Sequence, residues 1–307
     1  MKGIEIAEKY YTEFGAPMIA ENFPELEGRI AVGLAGEGSE CLGFDDDVSR
    51  DHDFEPSFCM WLTNEDYEKY SFPLSRAYSS LPASFGGLTR KSATPTGGAR
   101  RGVMPTDGFF RKFLGSPSVP ASYPHWLSIP EHALCSAVSG KVFRDDLGAF
   151  SAIRGELKKG YPEDIRLKKL ASALIVAHQS GSYNYPRCLA HGEDGAARLA
   201  IFTFVKNILA IVYLINNKYM PFYKWVFRGM RDLELLSDTE ELLAALLTDP
   251  SQDSVDEARR KVLAALKDQG LINDVAQSLE TSAYEINDKI KNPSLRNENI
   301  FAGMMRE

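Results

Sequence analysis

The sequence predicts an α+β protein, with a mixed sheet flanked by helices in the front half and an all-helical region behind it. Two observations predict this. Short apolar stretches bounded by Gly, Pro and polar turns occupy the first third of the chain, the pattern of strands in a partly buried sheet. From roughly Glu131 onward, WLSIPEHALCSAV, LGAFSAIRGELKKG, EDIRLKKLASALIVAHQSG and AARLAIFTFVKNILAIVYLINN repeat their apolar residues at helical spacing, with Gly or Pro between them. The character changes near residues 140–150, and 307 residues exceed what one core usually serves. The expected domains are therefore 1–145, mixed α/β, and 146–307, helical.

Taken in order, residues 2–20 carry Ile4, Ile6, Ala7, Tyr10, Tyr11 and Phe14 at near-helical spacing, an amphipathic helix that Pro24 closes off. Arg29–Ala35 reads as a short strand. Asp51–Phe58, continuing through FCMWLT, reads as a second, with an acidic hairpin-like loop between them. NEDYEKY starts a helix with Asn64 as N-cap. Ser79–Gly102, rich in Ser, Gly, Pro, Thr and Arg, reads as a long loop carrying Arg90, Lys91, Arg100 and Arg101. GVMPTDGFF is a strand that Pro105 confines to a sheet edge. Behind the boundary, SDTEELLAALL has capping-box spacing from Ser237 to Glu240, and helices are expected near 255–267 and 273–291. No internal repeat or low-complexity tract occurs.

The composition narrows the function classes. A formal charge of −7 and a pI near 5.4 give no global attraction for polyanions, so nucleic acid and anionic membrane are disfavoured as partners. Cys41, Cys59, Cys135 and Cys188 lie far apart with no CxxC, which argues against a zinc knuckle or disulfide scaffold and for reduced thiols in a cytoplasm. MKGIEIAEKYYTEF lacks a signal-peptide core. The longest apolar run, Leu199–Ile215, holds Lys206 and Asn207 at its centre and reads as a buried core helix.

The chemistry concentrates in GEGSECLGFDDDVSRDHDFEP, Gly36–Pro56. On an extended strand residues i and i+2 share a face, so Asp51 and Asp53 project together while His52 turns away. Two adjacent carboxylates repel unless a cation sits between them, and a hard divalent ion, Mg²⁺ or Mn²⁺, suits the pair. Upstream, Gly38 and Ser39 follow the apolar segment RIAVGLA, where a glycine turn offers unblocked backbone N–H groups and a hydroxyl to a phosphate. Asp45, Asp46 and Asp47 read as a solvated turn.

Gly-Ser followed by Asp-His-Asp-Phe resembles the signature of the polymerase-β-like nucleotidyltransferase superfamily. The longer string GSECLGFDDDVSRDHDF, with WLSIPEHAL, SGKVFRDDLGAFSAIR and NNKYMPFYKWVFRGM, is similar to uncharacterised bacterial proteins of that superfamily, and the helical tail resembles the substrate-binding half of aminoglycoside nucleotidyltransferases. The resemblance spans most of residues 30–232. It implies a nucleotidyltransferase fold and transfer of a nucleoside monophosphate from an NTP, ATP foremost, to a small-molecule or protein acceptor. Asp51 and Asp53 match the metal-binding acids, and Gly38 and Ser39 match the phosphate turn. The third carboxylate of such enzymes has Asp107 as its positional candidate, with Glu131, Asp145 and Asp146 as substitutes. Lys224, held between aromatics in YKW, matches helical-domain cations that reach the triphosphate; a stem lying along the surface is the other reading.

Other motifs fit less well. An EF-hand fails, because counting from Asp45 puts Arg50 sixth and Pro56 twelfth, and GLAGEGS is neither GxGxxG nor a P-loop. A second function class is a catalytically degenerate member that binds nucleotide as a regulatory module, motivated by the uncertain third acid. A third is a transferase acting on tRNA through a local patch such as Arg166, Lys168 and Lys169, or the Arg90–Arg101 loop. His191, with Arg187, Glu193 and Asp194 nearby, reads as a capped helix start or as the lining of an acceptor pocket.

Overall fold

A computed structural model describes residues 1–48, 55–90 and 100–305. The chain is α+β, a mixed four-stranded sheet with helices in its N-terminal part and a mostly helical C-terminal part. It divides into two compact units, residues 1–120 with 133–159, and residues 121–132 with 160–307.

In unit 1 a helical run opens with α1 (Gly3–Tyr10), passes through a π-turn and continues as α2 (Ala16–Asn22). Then come β1 (Ala31–Ala35), α3 (Ser39–Leu42), β2 (Cys59–Leu62) and α4 (Asn64–Ser79). A small hairpin of β3 (Ser84–Phe85) and β4 (Leu88–Thr89) interrupts the stretch expected to be all loop. β5 (Gly102–Pro105) and α5 (Thr106–Leu114) follow. The chain then supplies unit 2 with α6 (Tyr123–Ser128), runs through α7 (Glu131–Val138), and returns to unit 1 with β6 (Gly140–Asp145) and α8 (Ala149–Lys158).

The sheet order is β5-β2-β1-β6, with β1 antiparallel to both neighbours and β5 parallel to β2. β1 is buried along its whole length, as a central strand covered on both faces should be. On one face Val32 and its partner Met60 join Tyr10, Phe58 and Tyr78 in a single cluster. On the other, Trp61 stacks on Phe150 of α8 at 3.9 Å and meets Phe109 of α5 edge-on at 5.6 Å. Such ring pairs are worth about 0.5–1.5 kcal/mol beyond the area they bury. Gly33 sits where β1 bulges against β6, and a side chain there would meet the Lys141 carbonyl.

Several expectations need correction. β6 lies between the strings WLSIPEHALCSAV and LGAFSAIRGELKKG, where no strand is expected. It is a half-buried edge strand whose Lys141 and Arg144 pair with Glu8 and with Glu27 and Asp146, and such charged edges show little apolar alternation. The α4 cap is Thr63, one residue before Asn64; its hydroxyl accepts from Asp66 N at 3.1 Å, and buried Asp66 takes a two-pronged bond from Arg29. Ser237 lies in a 3₁₀ turn and does not cap the following helix, while Glu240 pairs with Arg231. Asp45 is not part of a solvated turn: it is buried and accepts from Gly3 N at 2.9 Å, satisfying an N–H that the first turn of α1 leaves without a helical partner. Asp46 and Asp47 are exposed.

Unit 2 packs α9 (Glu163–Ala177) against α11 (Asp194–Ile215), with α10 (Tyr185–Ala190) between them in the chain. After α12 (Val226–Met230), α13 (Glu240–Thr248) and α14 (Gln252–Asp268) pack on α11. α15 (Leu279–Asp288) and α16 (Pro293–Asn297) pack on α9. α11 is long and apolar enough to cross a membrane, but 67% of its most apolar window is buried inside the protein. Lys168 and Lys169, read as part of a basic surface patch, are instead fully buried. Lys168 donates to Asn287 Oδ1 and the Glu298 carbonyl, while Lys169 pairs with Glu131 at 2.7 Å. Both answer the rule that a buried charge must be partnered.

Candidate functional site

Where β1 ends, the chain makes the Gly36–Ser39 turn. Gly36 has φ 108° and Gly38 has φ 124° with ψ 148°. The Gly38 conformation is essentially restricted to glycine. A Cβ there would also lie 2.5 Å from Glu40 Oε2, because the Glu40 side chain folds back beneath the turn.

Glu40 is buried, and its partner is Arg101, whose guanidinium donates to Glu40 Oε1 and to the Glu37 carbonyl, the latter at 3.3 Å. Each side chain of the pair is only 11% exposed. From α5, Lys112 Nζ reaches Glu37 Oε2 at 2.7 Å, so the turn is gripped at two points. Burial works against the Arg101 charge, but neighbouring groups, the hydrogen-bonded Glu40 among them, more than offset it and its pKa rises. Burial also pushes the Cys41 thiol up to about 12. Cys41 is therefore neutral near pH 7, and the Glu40 carboxylate is the countercharge that holds the guanidinium in place.

The chain leading into β2 lies beside the same anchor. Gly102 N donates to the Phe58 carbonyl at 3.0 Å, Cys59 Sγ approaches the Arg100 carbonyl at 3.5 Å, and Phe58 N donates to the Tyr78 hydroxyl at 3.1 Å. Strand register agrees, since Gly33 faces Cys59 and Cys59 faces Gly102. Arg100–Gly102 thus joins the glycine turn to the chain just behind the Asp-His-Asp-Phe stretch. A cavity of about 270 Å³ opens here, lined by Gly36, Glu37, Tyr67, Arg101, Lys112 and Phe109 among others. Its charged lining is one carboxylate, Glu37, against Arg100, Arg101 and Lys112. Of these, Lys112 is paired with Glu37 and Arg101 with Glu40.

Gly38 and Ser39 therefore sit at one end of the sheet. Asp51 and Asp53 lie outside the described residues, as do His52 and Lys91. Asp107 lies in the first turn of α5, past the point where Leu62 faces Pro105, which is the end of β2 and β5 away from the glycine turn. It accepts from Asn64 Nδ2 at 2.8 Å. The substitute acids are engaged as well: Asp145 accepts from Ser151 N, Asp146 pairs with Arg144, and Glu131 pairs with Lys169. Lys224 is exposed on a 3₁₀ turn of unit 2, Tyr223–Trp225. His191, also exposed, caps the C-terminal end of α10. Among the described residues no three or more His, Cys, Asp or Glu side chains converge as a metal site would require.

Two anchors escape a reading of the sequence alone. Arg101 reads as part of a basic loop, yet it is the buried partner of Glu40. Arg90, from the same loop, donates to the Tyr10 hydroxyl and lies 4.9 Å over the Tyr78 ring. The available signal is Glu40 itself, because an acid directly after a glycine-serine turn requires a countercharge once the turn is packed.

Residues 126–226 match a domain of unknown function, DUF4037. The matched segment draws on both units, running from α6 through β6, α8, α9 and α11 into α12, and it does not include the glycine turn. No curated protein and no solved structure matches the chain.

Proposed function

We propose that the chain is a Mg²⁺- or Mn²⁺-dependent nucleotidyltransferase that moves a nucleoside monophosphate from an NTP to a small-molecule or protein acceptor. The observation that carries this reading is the Arg100–Gly102 segment, which binds the Gly36–Ser39 turn and the chain leading into β2 at one end of one sheet, beside a cavity of about 270 Å³. The two halves of the nucleotidyltransferase-like motif, Gly38–Ser39 and Asp51–Asp53, both precede that β2 segment in sequence.

In the reaction an acceptor oxygen bonds to the α-phosphorus as the α-phosphorus to bridging-oxygen bond breaks. Pyrophosphate leaves with the electron pair, and the acceptor proton passes to solvent. The glycine turn presents backbone N–H groups to phosphate oxygens, and its shape is fixed beforehand by Glu40 and Arg101, so little reorganisation remains for the reacting complex. Asp51 and Asp53 would hold the divalent ion, and a pair of carboxylates suits one that keeps water and phosphate oxygens as its other ligands. When bound, the ion supplies neutralisation of the charge on the phosphates.

A second reading is favoured by Asp107, which is engaged with Asn64 away from the glycine turn: a module that binds nucleotide without turning it over. One experiment separates the two. Each NTP with Mg²⁺ is incubated with the protein while pyrophosphate and melting temperature are followed. Release that disappears in Asp51→Asn and Asp53→Asn supports the transferase. A nucleotide-dependent rise in melting temperature without release supports the binding module, and neither response overturns both.

A further inference from the structure

The helical unit contains a second, larger cavity of about 560 Å³, in the size range of small-molecule sites. Its lining runs from side chains almost closed to solvent, Leu209 of α11 at 5% and Val226 of α12 at 6%, out to Phe202 at 59% and Tyr223 at 70%. The cavity therefore has a floor and a rim, where a flat apolar face offered to another protein would be exposed throughout. At the rim the rings stand at different angles. Phe222 and Tyr223 lie 4.4 Å apart between centroids with their planes at 48°, and Phe222 meets His132 edge-on at 5.7 Å. Such a wall offers both ring faces and ring edges, the two geometries in which aromatic groups attract one another.

The charges around the cavity select against a charged guest. Glu131 is already paired with buried Lys169 at 2.7 Å, and Lys206, the other charged side chain of the lining among the described residues, has an interaction of its own. A cation would meet Lys206 with the charge of Glu131 already answered. An anion would have to compete with the interaction that Lys206 already makes. Taking an ionised group out of water without a partner is costly, whereas an apolar guest gains from every part of this wall that it covers.

We propose that this cavity binds a small, uncharged aromatic molecule by its apolar surface, over a floor of Leu209 and Val226 and within a rim of Phe202, Phe222 and Tyr223. Recognition rests on shape and apolar burial, and on no single polar atom. Every residue involved lies in unit 2, so binding does not depend on nucleotidyl transfer at the glycine turn.

The test titrates the full chain with N-phenyl-1-naphthylamine, an uncharged dye that brightens in apolar surroundings, and with 8-anilinonaphthalene-1-sulfonate, the same ring system carrying a sulfonate. Fluorescence and calorimetry read affinity and stoichiometry. The expected result is saturable binding of one uncharged dye per chain, about tenfold tighter than the sulfonate. Phe202→Ser and Tyr223→Ser, at exposed positions whose loss leaves the core intact, should each weaken it about fivefold, the value of covering part of one ring. Phe72→Ser, which removes an exposed ring from α4 of unit 1, should leave binding unchanged. No saturable binding, tighter binding of the sulfonate, unchanged binding in both rim variants, or an equal loss in Phe72→Ser would each overturn the proposal. Sedimentation of the unliganded chain covers the remaining occupant: a dimer that Phe202→Ser dissolves and the dye does not displace would assign this face to a second copy, and would also overturn it. Should one rim variant fail to fold, the other and the dye comparison still decide.

Discussion

Arg101 donates to Glu40 across 61 residues of sequence, and both side chains are almost wholly removed from water. The pair ties the chain that becomes β5 to the turn that closes β1. Breaking a buried pair by deleting one partner strands the other charge, at a cost of about 3–5 kcal/mol. Arg101→Met or Glu40→Leu should therefore lower the unfolding free energy by several kcal/mol in urea titrations. The double variant Glu40→Leu with Arg101→Met should regain much of the loss, and a double-mutant cycle would show the coupling. Additive losses would mean that the two residues act separately.

Gly38 tests the turn more locally. With φ 124° and ψ 148°, any side chain at that position is strained and would press on Glu40. Gly38→Ala should cost about 1–3 kcal/mol, read as a lower urea midpoint with an unchanged m-value. Gly43→Ala is the control: φ there is 75°, but nothing lies within 4 Å of an added Cβ, so conformational strain acts alone and the loss should be smaller.

The buried thiols set an alkaline limit. Burial raises Cys41 to about 12 and Cys135 to about 11, and also raises Cys59. Each holds its proton more tightly in the folded than in the unfolded chain, where a thiol titrates near about 8.5. Their contribution is thus fully present below about pH 8.5 and is lost as pH climbs from there toward the folded values. Urea midpoints measured from about pH 7 to about pH 11 should fall above about pH 9, and Cys135→Ser should remove its share of the slope. A flat profile would refute the assignment.

Asp107 and the Asp51–Asp53 pair should separate cleanly under the proposed chemistry. Asp107→Ala loses one exposed hydrogen bond to Asn64, worth about 0.5–1 kcal/mol, and should leave pyrophosphate release intact. Asp51→Asn should abolish release and leave the urea midpoint nearly unchanged. Loss of turnover in Asp107→Ala with normal stability would return that residue to the chemistry.

What can be read from the sequence follows physical scale. Local periodicity marks β1 and the core helix α11, because each pattern is written within a short span of chain, and Pro105 marks the sheet edge at β5, but Thr106–Phe110 of the same GVMPTDGFF string open α5 instead of continuing the strand. β6 escapes such a reading because its residues are half-buried and charged and acquire strand character only through pairing with β1, far earlier in the chain. The glycine turn is legible from Gly36 and Gly38. Its clamp is not, since Arg101 differs from its basic neighbours only through Glu40. Asp45 misleads for the same reason: an acid run looks solvated until one member finds the open N–H of a helix 42 residues away.

The chain leaves unit 1 after residue 120, comes back at 133 and departs again after 159. A nascent polypeptide therefore cannot finish its sheet until β6 has cleared the ribosome, and a chain cut after residue 120 would lack one edge of that sheet together with the phenylalanine that stacks on Trp61. Dissecting the molecule into working halves thus calls for circular permutation or a spliced linker, because no single scissile point yields two intact pieces.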